Sequence, residues 1–173
     1  IVANGDVKRE IDTLILPTGY KVWEKGNFPA FDVVGVDGTE LGTWWDQNQY
    51  ESYEGISVHG YPNMFYLASP YGFTGLSYFF TIEGQMMHIA RVIRAMQRHR
   101  ATSFEVKQSA QDTFVTKMKK NMDGTVFKVG DCGPANTYYL NQHGEPTLLR
   151  PTPTLVALWQ SSHFPLRDYT FMS

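Results

Sequence analysis

The stretch over residues 60–98 constrains the fold more than any other part of the chain. It predicts a short buried strand at residues 64–67, a loop punctuated by Pro and Gly at residues 69–75, and then the longest helix of the sequence. The pattern is typical of an α/β fold. Apolar residues recur in this helix every three or four positions, which predicts a face packed on the core: Ile82, Met86, Ile89, Ala90, Ile93 and Met96.

The start of this helix is a candidate anion site. Ser77 is the expected N-cap, but the residue three positions later is Phe80 rather than the Glu or Gln of a capping box. The free N–H groups of the first turn and the positive end of the helix dipole then face whatever lies in the loop. An ordinary strand–loop–helix connection has the same pattern, so the residues alone leave both interpretations open.

Composition and charge exclude several classes of protein. The chain of 173 residues is 42% hydrophobic, enough for one sizeable core, and its net charge of −2 gives no electrostatic argument for nucleic acid. No apolar run approaches the roughly 20 residues of a membrane-spanning helix. A single cysteine, Cys132, cannot form an internal disulfide and is compatible with a reducing cytosol, so we expect a cytoplasmic protein. Because the first residue is Ile1 rather than Met, we expect the chain to begin within a longer protein.

Four shorter segments give local predictions. The apolar run at residues 14–16, closed by Pro and Gly, predicts a strand buried on both faces. The Asp-Gly pair at residues 37–38 predicts a tight hairpin turn. The two tryptophans at residues 44–45 are expected to pack in a core rather than to bind a ligand. Residues 103–106 predict a short strand.

A second helix is predicted from about residue 109 to residue 124, followed by an irregular tail. The helix should bury one apolar face, which consists of Phe114, Val115, Met118 and Met122. The tail over residues 125–173 is rich in Pro, Gly and aromatic residues and carries no helical period of useful length. The paired residues at 138–139 and 148–149, around Gly144, predict a hairpin there.

The residues themselves indicate no complete catalytic centre. None of the five histidines pairs with another His or Cys at a metal-ligand spacing, so no metal site is expected. The motifs G-x-S-x-G, H-E-x-x-H, the Walker loop and G-x-G-x-x-G do not occur, and no nucleophile–base pair can be identified.

Several segments together resemble the C-terminal part of flavin-dependent monooxygenases of the Baeyer–Villiger class, with the N- and S-oxygenating flavoproteins close behind. The segment IDTLILPTGY is similar to the family motif Asp-x-x-x-x-Ala-Thr-Gly-Phe/Tyr, with Pro17 in place of Ala. DGTELGTWW, YEGISVHGYPNMFYLASP and the helix with Ile82-Glu83 follow in the family's order. The tail, with Tyr-Tyr-Leu at 138–140 and Leu-Arg-Pro at 149–151, resembles the aromatic segment that closes over the site.

The resemblance implies the C-terminal portion of a flavoprotein with two dinucleotide-binding domains. Residues 1–20 would end the junction strand of the NADP domain, residues 21–173 would form the C-terminal part of the FAD domain with its closing tail, and the upstream domains would be absent. In the family, NADPH reduces FAD, and a C4a-peroxyflavin formed with O2 inserts oxygen into a small organic ketone or transfers it to a heteroatom. The chain alone is expected to be inactive and not to retain FAD or NADP.

The resemblance also implies which residues would contact the cofactors, and none of them is catalytic. The cofactor-binding candidates are Thr18, Gly19, Thr74, Gly75, Leu76, Ser77, Tyr78 and Phe79. Tyr138 is the candidate for the substrate or nicotinamide side. For Phe79 the alternative is a core position, and for Tyr138 it is simple packing.

A second hypothesis is a stand-alone, non-catalytic binding or interaction module of the same shape. The two hypotheses differ in the apolar face of the long helix. In a monooxygenase this face packs partly on upstream sequence, so the isolated chain should self-associate. An independent module should instead be a well-behaved monomer.

Overall fold

The computed structural model describes residues 2–3, 7–8, 10–17, 19–129 and 137–173. Their helices and strands are β1 (Val2–Ala3), β2 (Val7–Lys8), α1 (Leu41–Gln47), α2 (Tyr78–His99), β3 (Ser103–Val106), α3 (Gln108–Met122), α4 (Val126–Val129), α5 (Thr154–His163) and β4 (Tyr169–Met172). A 3-10 turn at Leu166–Asp168 leads into β4. In these ranges the strands form two antiparallel pairs, β1 with β2 and β3 with β4. The mixed α/β class and the two predicted helices are confirmed.

The second helix and the strand before it form as predicted. β3 covers residues 103–106, and α3 buries the four apolar residues of its predicted face. Phe114, Val115 and Met118 pack into one core cluster with residues of α2, β3 and β4. In the sheet, Val106 lies opposite Tyr169. An apolar face of this kind is a reliable guide because its packing partners lie within the same chain.

The long helix α2 begins after Ser77, as predicted, but it buries a different face. The buried residues are Thr81, Gly84, Gln85, His88, Val92 and Ala95. Met86, from the predicted core face, is 50% exposed, and Ile82 and Ile89 are only half-buried. The prediction of a buried apolar face is therefore wrong for this chain.

The physical reason is the packing of α5 against α2. The two helices meet at small residues, because a Cβ added at Gly84 would lie 2.8 Å from Cδ2 of Leu158 and 3.4 Å from Oγ of Ser161. A close approach of two helices requires small side chains. The polar residues of this face are tolerated because they find hydrogen-bond partners, as Gln85 and His88 do.

Two predicted strands are absent from the described residues. Residues 14–16 are exposed and residues 64–67 range from half-buried to exposed, and neither segment pairs within the two described sheets. A buried strand needs neighbouring strands to satisfy its backbone groups. An apolar run without such neighbours does not form one.

The tail is more regular than predicted. It contains α5 and β4, which the absence of a helical period did not indicate. Pro153 does not prevent α5, because proline is tolerated just before the first helical turn. The predicted hairpin around Gly144 is wrong: residues 147–150 run beside residues 71–73 instead. There the Tyr71 N–H donates to the Thr147 carbonyl at 2.6 Å, and the Arg150 N–H donates to the Phe73 carbonyl at 2.7 Å.

A second core cluster is formed by buried residues between positions 23 and 61. Its members are Trp23, Leu41, Trp45, Tyr50, Val58 and Tyr61. Trp45 is fully buried on α1 and stacks on Phe28 and Tyr50, while Trp44 packs against the cluster from its side. The predicted packing role of the tryptophan pair is confirmed.

The predicted tight turn at residues 37–38 is also confirmed. Gly38 has φ +84°, and the Asp37 carboxylate accepts hydrogen bonds from the backbone and hydroxyl of Thr39 at 3.0 and 2.9 Å. Among the helices of the described ranges, none has both the length and the apolar character needed to cross a bilayer.

Candidate functional site

The loop before α2 and the first turn of that helix form the candidate site. Gly75 has φ +84°, and nothing lies within 4 Å of the position where a Cβ would be. The Ser77 side chain does not cap the helix, since it makes no hydrogen bond to the first turn. Thr81, one turn later, donates from its N–H and its hydroxyl to the Ser77 carbonyl at 3.1 and 3.0 Å. This geometry leaves the first-turn N–H groups without a side-chain cap, as an anion site requires.

Apolar side chains surround this helix start and are open to solvent. Phe79 is 78% exposed, so it is not a core residue of this chain. Leu76, Tyr78 and Phe80 are also exposed beside it. An apolar group of this size at one point of the surface is typical of a ligand or protein contact.

The tail lies directly against the loop. The hydroxyls of Thr74 and Thr154 are 3.1 Å apart, within hydrogen-bond distance. A cavity of about 360 Å³ is lined by Thr74 and Gly75 on one side, and by Tyr139, Arg150 and other tail residues on the other. The structure therefore brings one group of the predicted site residues together with the tail.

Tyr138 lies in a different cavity. Its carbonyl accepts a hydrogen bond from the Trp23 indole at 3.0 Å, and its hydroxyl donates to the Tyr139 hydroxyl at 3.0 Å, a contact that raises the pKa of Tyr139. Tyr138, Tyr20 and Trp23 line a cavity of about 280 Å³. Gly19 precedes Tyr20 and has φ +75°, whereas the candidate Thr18 lies outside the described residues, as does Cys132.

Sequence reasoning gave no role to the side chain of Arg150, which lines the cavity beside Thr74 and Gly75. This residue is 4% exposed, and its guanidinium pairs with the Glu54 carboxylate and donates to Oε1 of Gln160 at 2.7 Å. It also lies over the Phe114 ring, 5.2 Å from the centroid. Arg150 and Glu54 are 96 residues apart, and no local signal connects them.

A second missed group lies on the buried face of α2. Nε2 of His88 is 2.8 Å from the Tyr169 hydroxyl, which is 2.8 Å from Oγ of Ser57. The His88 ring stacks on Phe164 with the centroids 3.6 Å apart. Burial, together with the positive charges of Arg150 and Arg91, holds the pKa of His88 well below its usual value. The imidazole is therefore neutral in the folded chain.

The neutral state of His88 predicts a pH-dependent stability. Because its pKa is lowered on folding, the unfolded chain binds the proton more readily, and stability is lost as the pH falls below about 6.5. One such group contributes a slope of at most about 1.4 kcal/mol per pH unit. Urea unfolding at pH 7 and pH 5 should show that the wild type loses more stability than a His88→Gln variant, by up to about 2 kcal/mol. Equal losses in the two proteins would contradict this account.

The chain is similar to parts of two curated monooxygenases. It is 32% identical over 149 residues to the Baeyer–Villiger monooxygenase of Pseudomonas aeruginosa, a match that covers 82% of this chain and 27% of that protein. It is 31% identical over 125 residues to cyclohexanone 1,2-monooxygenase of an Acinetobacter species, covering 72% of this chain and 22% of that protein. The chain thus spans about a quarter of the length of these relatives. No family model matches the sequence.

Solved structures share the fold. Cyclohexanone monooxygenase from Rhodococcus sp. Phi1, bound to NADP+, superposes with a TM-score of 0.69 at 22% identity, covering 86% of this chain and 28% of that one. An oxidized steroid monooxygenase bound to NADP gives a TM-score of 0.70 at 18% identity, covering 87% and 28%. OTEMO in complex with FAD and NADP gives 0.67 at 19% identity, covering 84% and 27%.

Proposed function

Because this chain belongs to the Baeyer–Villiger monooxygenase family and spans about a quarter of its relatives' length, we propose that it is the C-terminal part of an FAD- and NADPH-dependent monooxygenase. The intact enzyme would insert one oxygen atom from O2 into a ketone or transfer it to a heteroatom. Residues 1–20 would end the NADP-domain junction, and residues 21–173 would complete the FAD domain and carry its closing tail. The observation that carries the proposal is the uncapped start of α2 beside the tail.

The residues at the helix start fit a flavin. Gly75 has open space, so the backbone can approach a planar ring closely. The first-turn N–H groups at residues 78–80 would stabilise the negative charge that reduction places on the N1 and C2 carbonyl edge of the ring. Leu76 and Phe79 supply exposed apolar surface for the ring itself. When bound, reduced FAD supplies the oxygen chemistry, while this chain binds and orients it.

The remaining site residues have supporting roles in this proposal. Thr74 would hold the loop against the tail through its contact with Thr154. Thr18 and Gly19 would lie at the junction near both cofactors, and Tyr138 would face the nicotinamide or the substrate from its own cavity.

The exposed apolar face of α2 supports a larger protein over a stand-alone module. Met86 and Ile93 lie exposed on this face, although their spacing is that of a core stripe. In the proposed enzyme the face packs on upstream sequence, so α2 would be covered on both sides. An independent module would leave a sizeable apolar surface in water.

A Gly75→Val substitution in the full-length protein tests the flavin site. Valine at φ +84° is strained and places a branched side chain where the ring would approach, so we expect the FAD dissociation constant to rise about tenfold or more. The measurement is a fluorescence titration of the deflavinated protein with FAD. NADPH consumption in the presence of cyclohexanone or a thioether would report turnover.

Gly60→Val is the matched control for this test. Gly60 has φ +85° and open space like Gly75, but it lies in a turn outside the proposed site, so it should cost stability without weakening FAD. A full-length protein that binds no FAD would overturn the proposed function.

A further inference from the structure

Gln85 connects the long helix to two separate loops through one side chain. It lies two turns into α2 and is 3% exposed. Its Oε1 accepts a hydrogen bond from the Ala68 N–H at 2.9 Å. Its Nε2 donates to the Gly55 carbonyl at 3.1 Å and reaches the Gly72 carbonyl at 3.4 Å. The amide thus fixes the loop at both ends of residues 68–72.

The two loops approach each other closely around this amide, at Gly55 and Gly72. A Cβ at Gly72 would lie 2.7 Å from the Ser69 carbonyl oxygen and 2.9 Å from Nε2 of Gln85. A Cβ at Gly55 would lie 2.2 Å from Cα of Gly72. The backbones of Gly55 and Gly72 are therefore in close contact, and the Gln85 amide holds both through their carbonyls.

The hydrogen bonds at position 85 require an amide side chain. One end of the side chain must accept from an N–H and donate to carbonyls at the same time, which a glutamine does and a carboxylate or an alkyl chain does not. An unmatched polar group at a buried position of this kind is costly, because it loses water without gaining a partner. Gln85 is therefore matched to this loop rather than simply tolerated by it.

Gly75, at the end of the loop, lies three positions after Gly72, and α2 begins at Tyr78. We propose that Gln85 is a positioning residue that sets where residues 72–75 lie relative to the first turn of α2, and that it thereby tunes the FAD site. The inference rests on the proposed function, since it concerns the same helix start. Gln85 itself would not touch the cofactor.

The test compares three variants of the full-length protein by FAD affinity and by the reduction potential of the bound flavin. Gln85→Met keeps the size of the side chain but removes all its hydrogen bonds, and we expect a rise of about tenfold in the FAD dissociation constant and a shift in potential. Gln85→Glu keeps the acceptor for the Ala68 N–H but loses the donor, so it should change both quantities in the same direction. It also tests the inference if the methionine variant does not fold.

Val92→Ala is the control for a merely structural effect. Val92 is buried on the same face of α2, two turns further on, and its alkyl side chain makes no hydrogen bonds, so its truncation costs stability through packing alone. We expect this variant to keep the wild-type affinity and potential. The inference is overturned if both Gln85 variants behave like the wild type, or if Val92→Ala changes the flavin equally. A wild-type protein without FAD binding would overturn the proposed function as well, which distinguishes the two failures.

Discussion

Replacing Gly55 by alanine is expected to destabilise the fold of this chain severely. The new Cβ would lie 2.2 Å from Cα and 2.8 Å from N of Gly72, and these backbone atoms cannot rotate away as a side chain would. The residue also has φ +72°, where alanine is strained. We expect a loss of about 4 kcal/mol or more, a large share of the stability of an ordinary domain. Circular dichroism during urea unfolding would show a transition that is shifted far down or missing.

The control separates the steric contact from the backbone strain. Gly60 has φ +85°, but a Cβ there would meet nothing within 4 Å. Gly60→Ala should therefore cost only about 1–2 kcal/mol, the penalty of the left-handed conformation. If the two alanine variants lose the same stability, the close approach of Gly55 to Gly72 is not a constraint on the fold.

Replacing Arg150 by methionine should lower the free energy of unfolding by about 3–5 kcal/mol. The change leaves the buried Glu54 carboxylate without its cation, and Oε1 of Gln160 without its donor. Removing one member of a buried ion pair costs more than the pair contributes, because the remaining charge is kept from water. Urea unfolding at neutral pH measures the loss.

Two further variants show how much of that loss of stability comes from leaving a buried charge without its partner. The double substitution Arg150→Met with Glu54→Gln removes both charges and should recover part of the stability. Lys119→Met breaks a half-exposed pair with Glu145, whose atoms are 3.5 Å apart, and should cost less than about 1 kcal/mol. An Arg150→Met variant no less stable than Lys119→Met would show that burial does not strengthen the Glu54 contact.

Local chemistry was sufficient to predict some elements. The Ser77 cap position, the strand at residues 103–106 and the turn at residues 37–38 all follow from residues adjacent in sequence. The buried face of α3 also followed from its pattern, because its partners β3 and β4 belong to the described chain. For these elements, the sequence pattern and the structure agree.

For α2 the hydrophobic pattern did not predict the buried face, because that face depends on where the packing partner lies. The apolar stripe with Met86 and Ile93 marks a face suited to a core, but α5 packs on a different face of α2, at Gly84. The same limit applies to residues 14–16, whose apolar run would be a strand only beside other strands. Hydrophobic spacing thus indicates which surface can be buried, not which one this chain buries.

The candidate site was predictable in its chemistry but not in its assembly. A glycine in a loop before an uncapped helix is a local signal, and the structure shows both features at Gly75 and Ser77. That Thr74 shares a cavity with Tyr139 while Tyr138 lines another follows from the path of the tail, which no spacing encodes. The pairing of Arg150 with Glu54 was not predictable for the same reason.

The hydrogen bond from the Trp23 indole to the Tyr138 carbonyl gives the chain an intrinsic fluorescent reporter of the tail's position. It joins residues 115 positions apart at 3.0 Å, and the indole is 3% exposed. Indole fluorescence moves to longer wavelength on contact with water. The emission of Trp23 should therefore shift to longer wavelength if Tyr138 moves away from the indole. Subtracting the spectrum of a Trp23→Phe variant removes the signals of Trp44, Trp45 and Trp159. A stopped-flow instrument would then show, without any attached dye, whether the contact between Trp23 and Tyr138 breaks when the chain meets a ligand.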